Sequence, residues 1–369
     1  MRVEAAAPRV ALGPMDPAGT AGAYAAGLRM LGADAEVVTS FPHPFGFPAD
    51  RVLGRRERLR YGATVARRRD VLHLQYGYSW LPGELDARLA RRLGRTVVMN
   101  FHGDDCRLYG LAAALFPAQA PVGDASGDAA VRRRVLRLSR VAHAAIVKDL
   151  ELAAYVYPVF DRVFVVPSPV RPELFDAPPA THPETPVVLH APSDRRYKGT
   201  DLVQAAVAEI SRRTPVELRL VENVGHEQLR AEVARATVVV DQVNAASTGV
   251  LALESMALGV PVLAEYDPDL LAPFQRTAPI VRVTPATLAD ELERLIGDPE
   301  RQRALAEAGR RYVEDVHAPE RVAAALLRVY EQARSGPHGL FEATPDTLRP
   351  LRGTRPDTAA SAAVEEGVA

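Results

Sequence analysis

The segment PVVLHAPSDRRYKGTDL, residues 186–202, contains a strand, a loop and the start of a helix in direct succession. The apolar run from Pro186 to His190 predicts a short buried strand, and a helical pattern begins near Thr200. Between them lies a polar loop with three basic side chains. A strand that passes through a short loop into a helix is the repeating unit of a parallel sheet covered by helices.

The same alternation extends from this segment in both directions. Downstream, the strand-like runs VELRLVE, TVVVDQV and VPVLAEY are separated by helical patterns, and upstream six further runs begin near residues 9, 35, 70, 95, 142 and 161. The chain has 369 residues, of which 47% are hydrophobic and 25% charged, enough to build two cores. We therefore predict an α/β protein with two Rossmann-like, doubly wound parallel-sheet domains that face each other across a cleft.

Composition shifts place the boundaries of these domains. The stretch 167–186 is rich in proline and lacks apolar periodicity, which predicts a stiff linker. Beyond residue 334 no sustained apolar face is present, which predicts disorder. The predicted organisation is an N-terminal domain over 1–166, the linker 167–186, a C-terminal domain over 187–318, a helix over 319–334 that packs back on the first domain, and a disordered tail over 335–369.

Charge and cysteine content exclude several classes of protein. The formal net charge is −1, which gives no electrostatic reason to bind nucleic acid. The single cysteine, Cys106, forms neither an internal disulfide nor a cysteine-rich metal site, and the nine histidines form no ligand cluster, so no metal is expected. We find no signal-peptide pattern and no apolar run of spanning length, and we expect a cytoplasmic location.

Lysine is almost absent from the chain. Of the 45 basic residues, Lys148 and Lys198 are the two lysines. Such a strong bias favours arginine wherever the surface tolerates either residue, so each retained lysine is a weak indication of function.

In open parallel sheets, ligands bind at the carboxyl ends of the strands, where three groups of polar residues are found. Arg195, Arg196 and Lys198 follow the strand 186–190, and cations on such a loop bind a diphosphate, although a solvated surface turn is an equal alternative.

The second group lies after the strand that ends at Asp241. Ser247, Thr248 and Gly249 precede a helix predicted from about Val250 to Leu258, where hydroxyls and amides suit a phosphate. Glu254 lies about one and a half turns into that helix, within reach of a ribose diol. Taken alone, such a segment is more often an ordinary helix N-cap followed by one exposed glutamate than a ligand site.

The third group follows the strand that begins at Thr96. His102 comes directly after this strand, among polar residues, and is predicted to contact a ligand. The nearby Tyr76, Tyr78 and Trp80 either stack on a sugar or an aromatic ligand, or belong to the core. The loop GPMDPAGTAG, residues 13–22, is glycine-rich but lacks the dinucleotide-binding spacing and is weak evidence for a close backbone approach.

The segments HAPSDRRYKGTDL, VVVDQ and GVLALESMALGVPVL together resemble the C-terminal domain of the retaining glycosyltransferases of family 4, which have the GT-B fold. DVLHLQYGYSWLP and VVMNFHGDDCR are similar to strand ends in the N-terminal domain of a bacterial subgroup. The resemblance covers most of residues 9–334. It implies transfer of a sugar from a UDP-, GDP- or dTDP-sugar to an acceptor hydroxyl with retention of configuration, without a metal or other cofactor.

The resemblance also implies a role for each candidate residue. Lys198 with Arg195 or Arg196 would hold the diphosphate and stabilise the leaving group, and Arg195 is the preferred partner. Glu254 would bind the ribose, while Ser247, Thr248 and Gly249 would contribute to the donor site. His102 would lie near the donor sugar or the acceptor hydroxyl.

One position departs from the family pattern. The family carries two glutamates separated by seven residues, and the first of them, which contacts the donor sugar, falls at Ala246. Loop amides near 247–249 are a possible substitute. The departure keeps two alternatives open, a non-catalytic GT-B-like binding or scaffold protein, and another GT-B activity such as sugar-nucleotide epimerisation or phosphorolysis.

The acceptor is set by the N-terminal domain and is not identified by any motif, so saccharide, glycolipid and secondary metabolite all stay open. The basic stretch RRRVLRLSR, residues 132–140, contains Val135, Leu136 and Leu138. It predicts either a solvated helix face or a weak peripheral contact with anionic lipid at the inner face of the membrane.

Overall fold

The computed structural model of the chain describes residues 7–115, 125–175 and 184–351. Within these ranges, the strands form two separate sheets. Each sheet belongs to one domain, which we call the N-domain (residues 7–166 and 319–351) and the C-domain (residues 167–318).

The N-domain sheet contains nine strands among the described residues, in the order β14-β13-β7-β6-β5-β4-β1-β2-β3. All neighbours are parallel except the terminal β13–β14 pair. The elements up to the domain crossing are β1 (Arg9–Gly13), α1 (Thr20–Met30), β2 (Asp34–Thr39), β3 (Arg51–Val52), α2 (Arg55–Arg68), β4 (Val71–Gln75), α3 (Leu85–Arg92), β5 (Thr96–Asn100), α4 (Tyr109–Leu115), α5 (Asp128–Ser139), β6 (Ala144–Val147), α6 (Leu150–Val156) and β7 (Arg162–Val165).

The C-domain sheet contains five parallel strands in the order β12-β11-β10-β8-β9, counted over the same ranges. The remaining elements in chain order are β8 (Val187–His190), α7 (Arg195–Lys198), α8 (Thr200–Ile210), β9 (Glu217–Leu220), α9 (His226–Val233), β10 (Val238–Val240), α10 (Val250–Ala257), β11 (Val262–Ala264), β12 (Val281–Arg282), α11 (Leu288–Ile296), α12 (Pro299–His317), α13 (Pro319–Gln332), β13 (Gly339–Ala343) and β14 (Leu348–Pro350).

Helices cover both faces of each sheet. The central strands β4, β5 and β6 are buried at every residue, which explains their continuous apolar runs. In the N-domain one apolar cluster lies on each side of the sheet, and the C-domain repeats this arrangement with two further clusters. The prediction of an α/β protein with two doubly wound parallel-sheet domains is confirmed.

The predicted disorder of the tail from residue 335 is wrong for its first part. Strand β13 pairs in parallel with β7, and β14 turns back against it. Leu340 and Phe341 are buried against the N-domain core. A strand of five residues is too short to show the sustained periodicity that the prediction relied on, and it is stabilised by the sheet edge it joins. Residues 352–369 lie outside the described ranges.

The predicted linker is also packed in part. Val170 and Leu174 are buried in the apolar cluster of the C-domain that surrounds β10 and β11. The backbone nitrogen of Val170 donates to the carbonyl of His317, so the two chain segments that cross between the domains are bonded to each other. Residues 176–183 of this stretch lie outside the described ranges.

Helix α13 returns to the N-domain and packs on α1, burying Val322, Leu326 and Val329. The two helices approach closely at Gly27. A Cβ atom at this position would lie 2.0 Å from the carbonyl oxygen of Pro319 and 3.1 Å from Cβ of Ala323. The absence of a side chain at Gly27 therefore sets the distance between α1 and α13.

We expect Gly27→Ala to lower the free energy of unfolding by about 1–3 kcal/mol, because the added methyl group overlaps the backbone of α13. Thermal unfolding followed by circular dichroism measures the change. Gly22→Ala is the matched control, since it lies on the same helix and its nearest neighbour would be 3.6 Å from the new Cβ. Equal melting temperatures for the two variants would contradict the close approach.

Candidate functional site

The carboxyl ends of the two sheets meet, and residues that follow strands of one domain contact residues that follow strands of the other. Arg107, beyond the end of β5, places its guanidinium 5.3 Å from the ring centre of Tyr197, beyond the end of β8. Glu151 fixes this guanidinium through two hydrogen bonds of 2.7 and 3.0 Å. The predicted candidate residues lie around this contact between the two domains, which we call the seam.

Lys198 is buried beside the N-terminus of α10. Its Nζ donates to Asp241 Oδ1 at 2.7 Å and to Gln242 Oε1 at 2.8 Å, and the residue is 9% exposed. The short helix α7 presents it, and the Asp194 carboxylate caps that helix by accepting from the nitrogen of Tyr197. The lysine is therefore fixed before any ligand arrives.

Gly249 allows Lys198 to reach the end of α10. A Cβ atom on this glycine would lie 2.9 Å from Nζ of Lys198 and 2.8 Å from Oδ2 of Asp241. The backbone nitrogen of Gly249 donates to the same Oδ2 at 2.8 Å. One carboxylate thus joins the lysine to the first turn of α10, which carries the positive end of the helix dipole.

The two arginines of the same loop are placed differently. Arg195 forms a two-bond ion pair with Glu222, at 2.8 and 2.5 Å, and its side chain is half exposed. Arg196 is exposed, and its guanidinium forms no ion pair with the rest of the described chain. To bind a diphosphate, Arg195 must first leave Glu222, whereas Arg196 has no such partner to lose.

The other lysine of the chain contacts the same helix end from the N-domain. Lys148 directly follows β6, and its Nζ donates to Asp149 Oδ2 at 2.6 Å, Ser247 Oγ at 2.8 Å and the carbonyl of Thr248 at 3.1 Å. Ser247 is 2% exposed, so the hydroxyl predicted for a phosphate is held at the domain seam. No site role was predicted for Lys148, and the one signal in the sequence that pointed to it was the scarcity of lysine.

Glu254 is buried on α10 and bonded to a histidine from the neighbouring helix. Its Oε1 lies 3.0 Å from Nε2 of His226. The ring of His226 lies 4.4 Å from that of Phe47, and its backbone nitrogen donates to the carbonyl of Phe45, both in the N-domain. No sequence pattern singled out His226, because its importance arises from the contact between domains.

The glycine-rich loop 13–22 also receives a protein side chain. A Cβ atom on Gly19 would lie 2.3 Å from Cδ1 of Phe47. Asp16 accepts hydrogen bonds from the nitrogens of Ala21 and Gly22, and burial raises its pKa to about 6. The close approach that the glycines permit is made by Phe47.

Ala246 stands where the family pattern has its first glutamate. The alanine is 3% exposed, so neighbouring atoms occupy the space around its side chain. Its carbonyl accepts from the nitrogen of Asp267.

Glu265, which directly follows β11 at the same sheet edge, is a carboxylate that was not predicted from the sequence. Burial raises the pKa of Glu265 to about 7. Its backbone nitrogen donates to the carbonyl of Gln242, whose side-chain oxygen accepts a hydrogen bond from Lys198.

His102 lies at the end of β5, facing the seam. Its Nε2 is 2.7 Å from Oε1 of Gln75, and its backbone nitrogen donates to Asp105. Burial, with a smaller contribution from the positive charge of Lys148, lowers the pKa of His102 to about 3. The imidazole is therefore neutral near pH 7 and presents its second nitrogen as an acceptor when Nε2 carries the proton.

The three aromatic residues after β4 separate into two classes. Trp80 is fully buried, and its indole nitrogen donates to the carbonyl of Val38, so it belongs to the core. Tyr76 and Tyr78 are stacked with their ring centres 6.5 Å apart, and Tyr78 is 47% exposed. Tyr76 has a φ of 55°, a strained value for an aromatic residue that often marks a functional site.

The predicted lipid-binding stretch 132–140 lies on α5, and its apolar side chains point inward. Val135 is 3% exposed and Leu138 is fully buried in the N-domain core. Arg134 bonds the carbonyls of residues 104 and 105, and Arg137 pairs with Glu84. Two of the three apolar side chains that the lipid prediction required are therefore unavailable for contact with a membrane, because they are packed in the core of the N-domain.

The described ranges contain no group of three or more His, Cys, Asp or Glu side chains arranged to hold a metal ion. None of their helices combines the length and apolar character that crossing a membrane requires.

Comparisons with known proteins agree with this architecture. Residues 173–328 match a family model described as glycosyl transferase-like. No curated protein sequence matches the chain.

Solved structures resemble the chain over most of its length. Sucrose-phosphate synthase from Thermosynechococcus elongatus superposes with a TM-score of 0.59 at 18% identity, covering 88% of this chain and 98% of that one. HepE from Anabaena in complex with UDP-glucose gives 0.58 at 13%, covering 87% and 98%. A glycosyltransferase from Rickettsia africae gives 0.56 at 11%, covering 88% and 98%. These similarities show the fold, the GT-B arrangement of two parallel-sheet domains.

We expect His102 to remain neutral throughout the range pH 5–8, because its folded-state pKa lies near 3. Its imidazole nitrogen resonances, assigned by comparison with His102→Gln, should not shift in this range. The pH dependence of turnover in His102→Gln should also keep the shape found for the wild type. A His102 resonance that titrates between pH 6 and 7 would contradict the burial of this ring.

Proposed function

We propose that this protein transfers a glycosyl group from a nucleotide-sugar donor to an acceptor hydroxyl with retention of the anomeric configuration. The observation that carries the proposal is the buried ammonium of Lys198 at the N-terminus of α10, within the part of the chain that matches the glycosyl transferase-like model. A cation and a helix N-terminus at one point form an environment suited to a diphosphate.

The donor diphosphate is assigned to the space at the start of α10. As the bond between the anomeric carbon and the phosphate oxygen breaks, negative charge accumulates on the diphosphate. Lys198 is held close to that charge by Asp241 and Gln242, so little reorganisation is needed during the reaction. In the same step the acceptor oxygen bonds to the anomeric carbon, and its proton passes to the departing phosphate oxygen.

Retention follows when the acceptor attacks on the face from which the diphosphate leaves. This route needs no carboxylate nucleophile from the protein, which is compatible with the alanine at position 246. The sugar then carries its developing positive charge beside a neutral His102, whose free ring nitrogen can accept a hydrogen bond from a sugar or acceptor hydroxyl.

Glu254 is assigned to the ribose of the donor. His226 bonds one oxygen of the carboxylate and so fixes its orientation, while the second oxygen can accept from a ribose hydroxyl. We assign the acceptor to the N-domain side of the cleft, where the exposed Tyr78 and its stacked neighbour Tyr76 offer aromatic faces beside His102. The donor is a UDP-, GDP- or dTDP-sugar, and UDP-glucose is tested first because HepE was solved with it.

The first test is a thermal-shift screen with UDP, GDP, dTDP and their sugar conjugates. One nucleotide should raise the melting temperature of the wild type, by a stabilisation of about 2.7 kcal/mol at a ligand concentration 100 times its Kd. Lys198→Ala and Glu254→Ala should remove this shift. Lys198→Ala should also cost about 2–4 kcal/mol of transition-state stabilisation, comparable to the loss of one oxyanion donor.

Two controls accompany the screen. Lys198→Ala leaves the buried carboxylate of Asp241 without its cation, so its unliganded melting temperature must be measured separately. Arg311→Ala removes an exposed cation of α12, outside the candidate site, and should retain the shift. The absence of a shift with every nucleotide would favour a non-catalytic binding module.

The second test determines the stereochemistry of the product by the one-bond C–H coupling at the anomeric carbon. Under the proposed mechanism the product keeps the anomeric configuration of the donor. An inverted product would contradict retention but not transfer. Conversion of the nucleotide sugar without an acceptor would indicate epimerisation, and a sugar phosphate formed only with added phosphate would indicate phosphorolysis.

A further inference from the structure

Lys148 makes a direct polar link from the N-domain to the loop in front of α10, beside the proposed donor site. Its ammonium has three acceptors, the Asp149 carboxylate, the Ser247 hydroxyl and the Thr248 carbonyl, at 2.6, 2.8 and 3.1 Å. Three acceptors around one nitrogen match the three donors of a lysine, whereas an arginine presents a planar fork. This geometry favours lysine over arginine at position 148, in a chain that uses arginine at almost every other basic position.

Both lysines of the protein meet at the N-terminus of α10, one from each domain. Lys198 approaches Gly249 from the C-domain, and Lys148 approaches the two preceding residues from the N-domain. Cations are unfavourable at a helix N-terminus, because the helix dipole is positive there. Two of them at one helix end, each with a single carboxylate partner, indicate an arrangement that an anionic ligand completes.

Lys148 is also close to His102. The positive charge of Lys148 contributes to the lowered pKa of that histidine, after the larger effect of burial. The ammonium therefore bonds the loop in front of the helix end assigned to the diphosphate and also acts electrostatically on the residue assigned to the sugar. Within a bound nucleotide sugar, the group between these two places is the phosphate attached to the sugar.

We propose that Lys148 binds the sugar-linked phosphate of the donor and stabilises it as the leaving group, supplied by the N-domain when the two domains close. This inference rests on the proposed function for the identity of the ligand. On binding, the ammonium exchanges the Ser247 hydroxyl and the Thr248 carbonyl for a phosphate oxygen and keeps Asp149 as its counter-ion.

Domain opening is a necessary part of this proposal. The cavity bordered by Lys148, Thr248 and Gly249 has a volume of about 20 Å³, enough for one water molecule but not for a phosphate group beside Lys148. Under this proposal the donor enters while the domains are apart. Closure then brings Lys148 onto the phosphate and excludes water from the reacting bond.

The test compares wild type, Lys148→Met and Lys148→Arg by isothermal titration calorimetry. The probes are UDP, GDP and dTDP, the matching monophosphates, and inorganic pyrophosphate. Lys148→Met should raise the Kd of the nucleoside diphosphate on the order of tenfold or more, because a charge-assisted hydrogen bond is lost. The Kd of the monophosphate should change much less, and Lys148→Arg should restore part of the diphosphate affinity.

Two further variants serve as controls. Lys148→Met combined with Asp149→Asn removes both charges while the asparagine oxygen can still cap α6 at the nitrogen of Leu152, so it separates ligand binding from loss of folding. Arg311→Met removes an exposed cation of α12 and should leave every Kd unchanged.

The outcomes separate this inference from the proposed function. Equal weakening of diphosphate and monophosphate binding by Lys148→Met would show that the residue is a domain latch, which overturns the inference. Binding that depends on Lys198 but not on Lys148 would overturn it and leave the transferase intact. Binding of pyrophosphate that depends on Lys148, in a protein that transfers no sugar, would uphold the anion contact and overturn the proposed function. A wild type that binds none of the probes would overturn both.

Discussion

The buried contact among Lys198, Asp241 and Gly249 is the constraint on which the site depends. The carboxylate accepts from the ammonium through one oxygen and from the first amide of α10 through the other. It therefore fixes a charge, a helix end and the loop after β10 relative to one another. A side chain at Gly249 would overlap both charged groups, so the glycine is required by this contact. Burial of the two charges is costly, and removal of either partner would leave the other charge buried and uncompensated.

The contacts between the domains lie next to the residues assigned to the donor. Arg107 stacks on Tyr197, the neighbour of Lys198, and Lys148 bonds the loop in front of α10. Phe47 packs on His226, which holds Glu254. Because each contact touches a neighbour of a residue assigned to the donor, separation of the domains would disturb the candidate site at three points. Closure of the domains and assembly of the site are in this sense one event. The two crossing segments are themselves joined by the hydrogen bond from the nitrogen of Val170 to the carbonyl of His317.

The features that could be predicted from the sequence are those that depend on the local pattern of apolar and polar residues. The strands in front of Lys198, of His102 and of Ser247 were identified because parallel strands buried on both faces read as continuous apolar runs. Features that arise from contacts between distant segments were missed. His226 and Lys148 gain their importance from the opposite domain, and β13 is stabilised by the edge of β7, far away in the chain. Trp80 could not be distinguished from Tyr78 by sequence, since both alternate in one aromatic run and only packing separates them.

The alanine at position 246 can be related to the neighbouring ammonium of Lys148. Its side chain is enclosed, so a glutamate there would need either a partner or a displaced backbone. The adjacent loop instead receives an ammonium from the N-domain, paired with the buried Asp149. In the family pattern that the sequence resembles, a carboxylate at 246 contacts the sugar as it gains positive charge, whereas under our proposal Lys148 contacts the phosphate as it gains negative charge. Both lower the same barrier, because the two charges develop together as one bond breaks. Under the proposed mechanism, Lys148 would therefore stabilise the leaving group from the N-domain, where a carboxylate at 246 would stabilise the sugar from the C-domain.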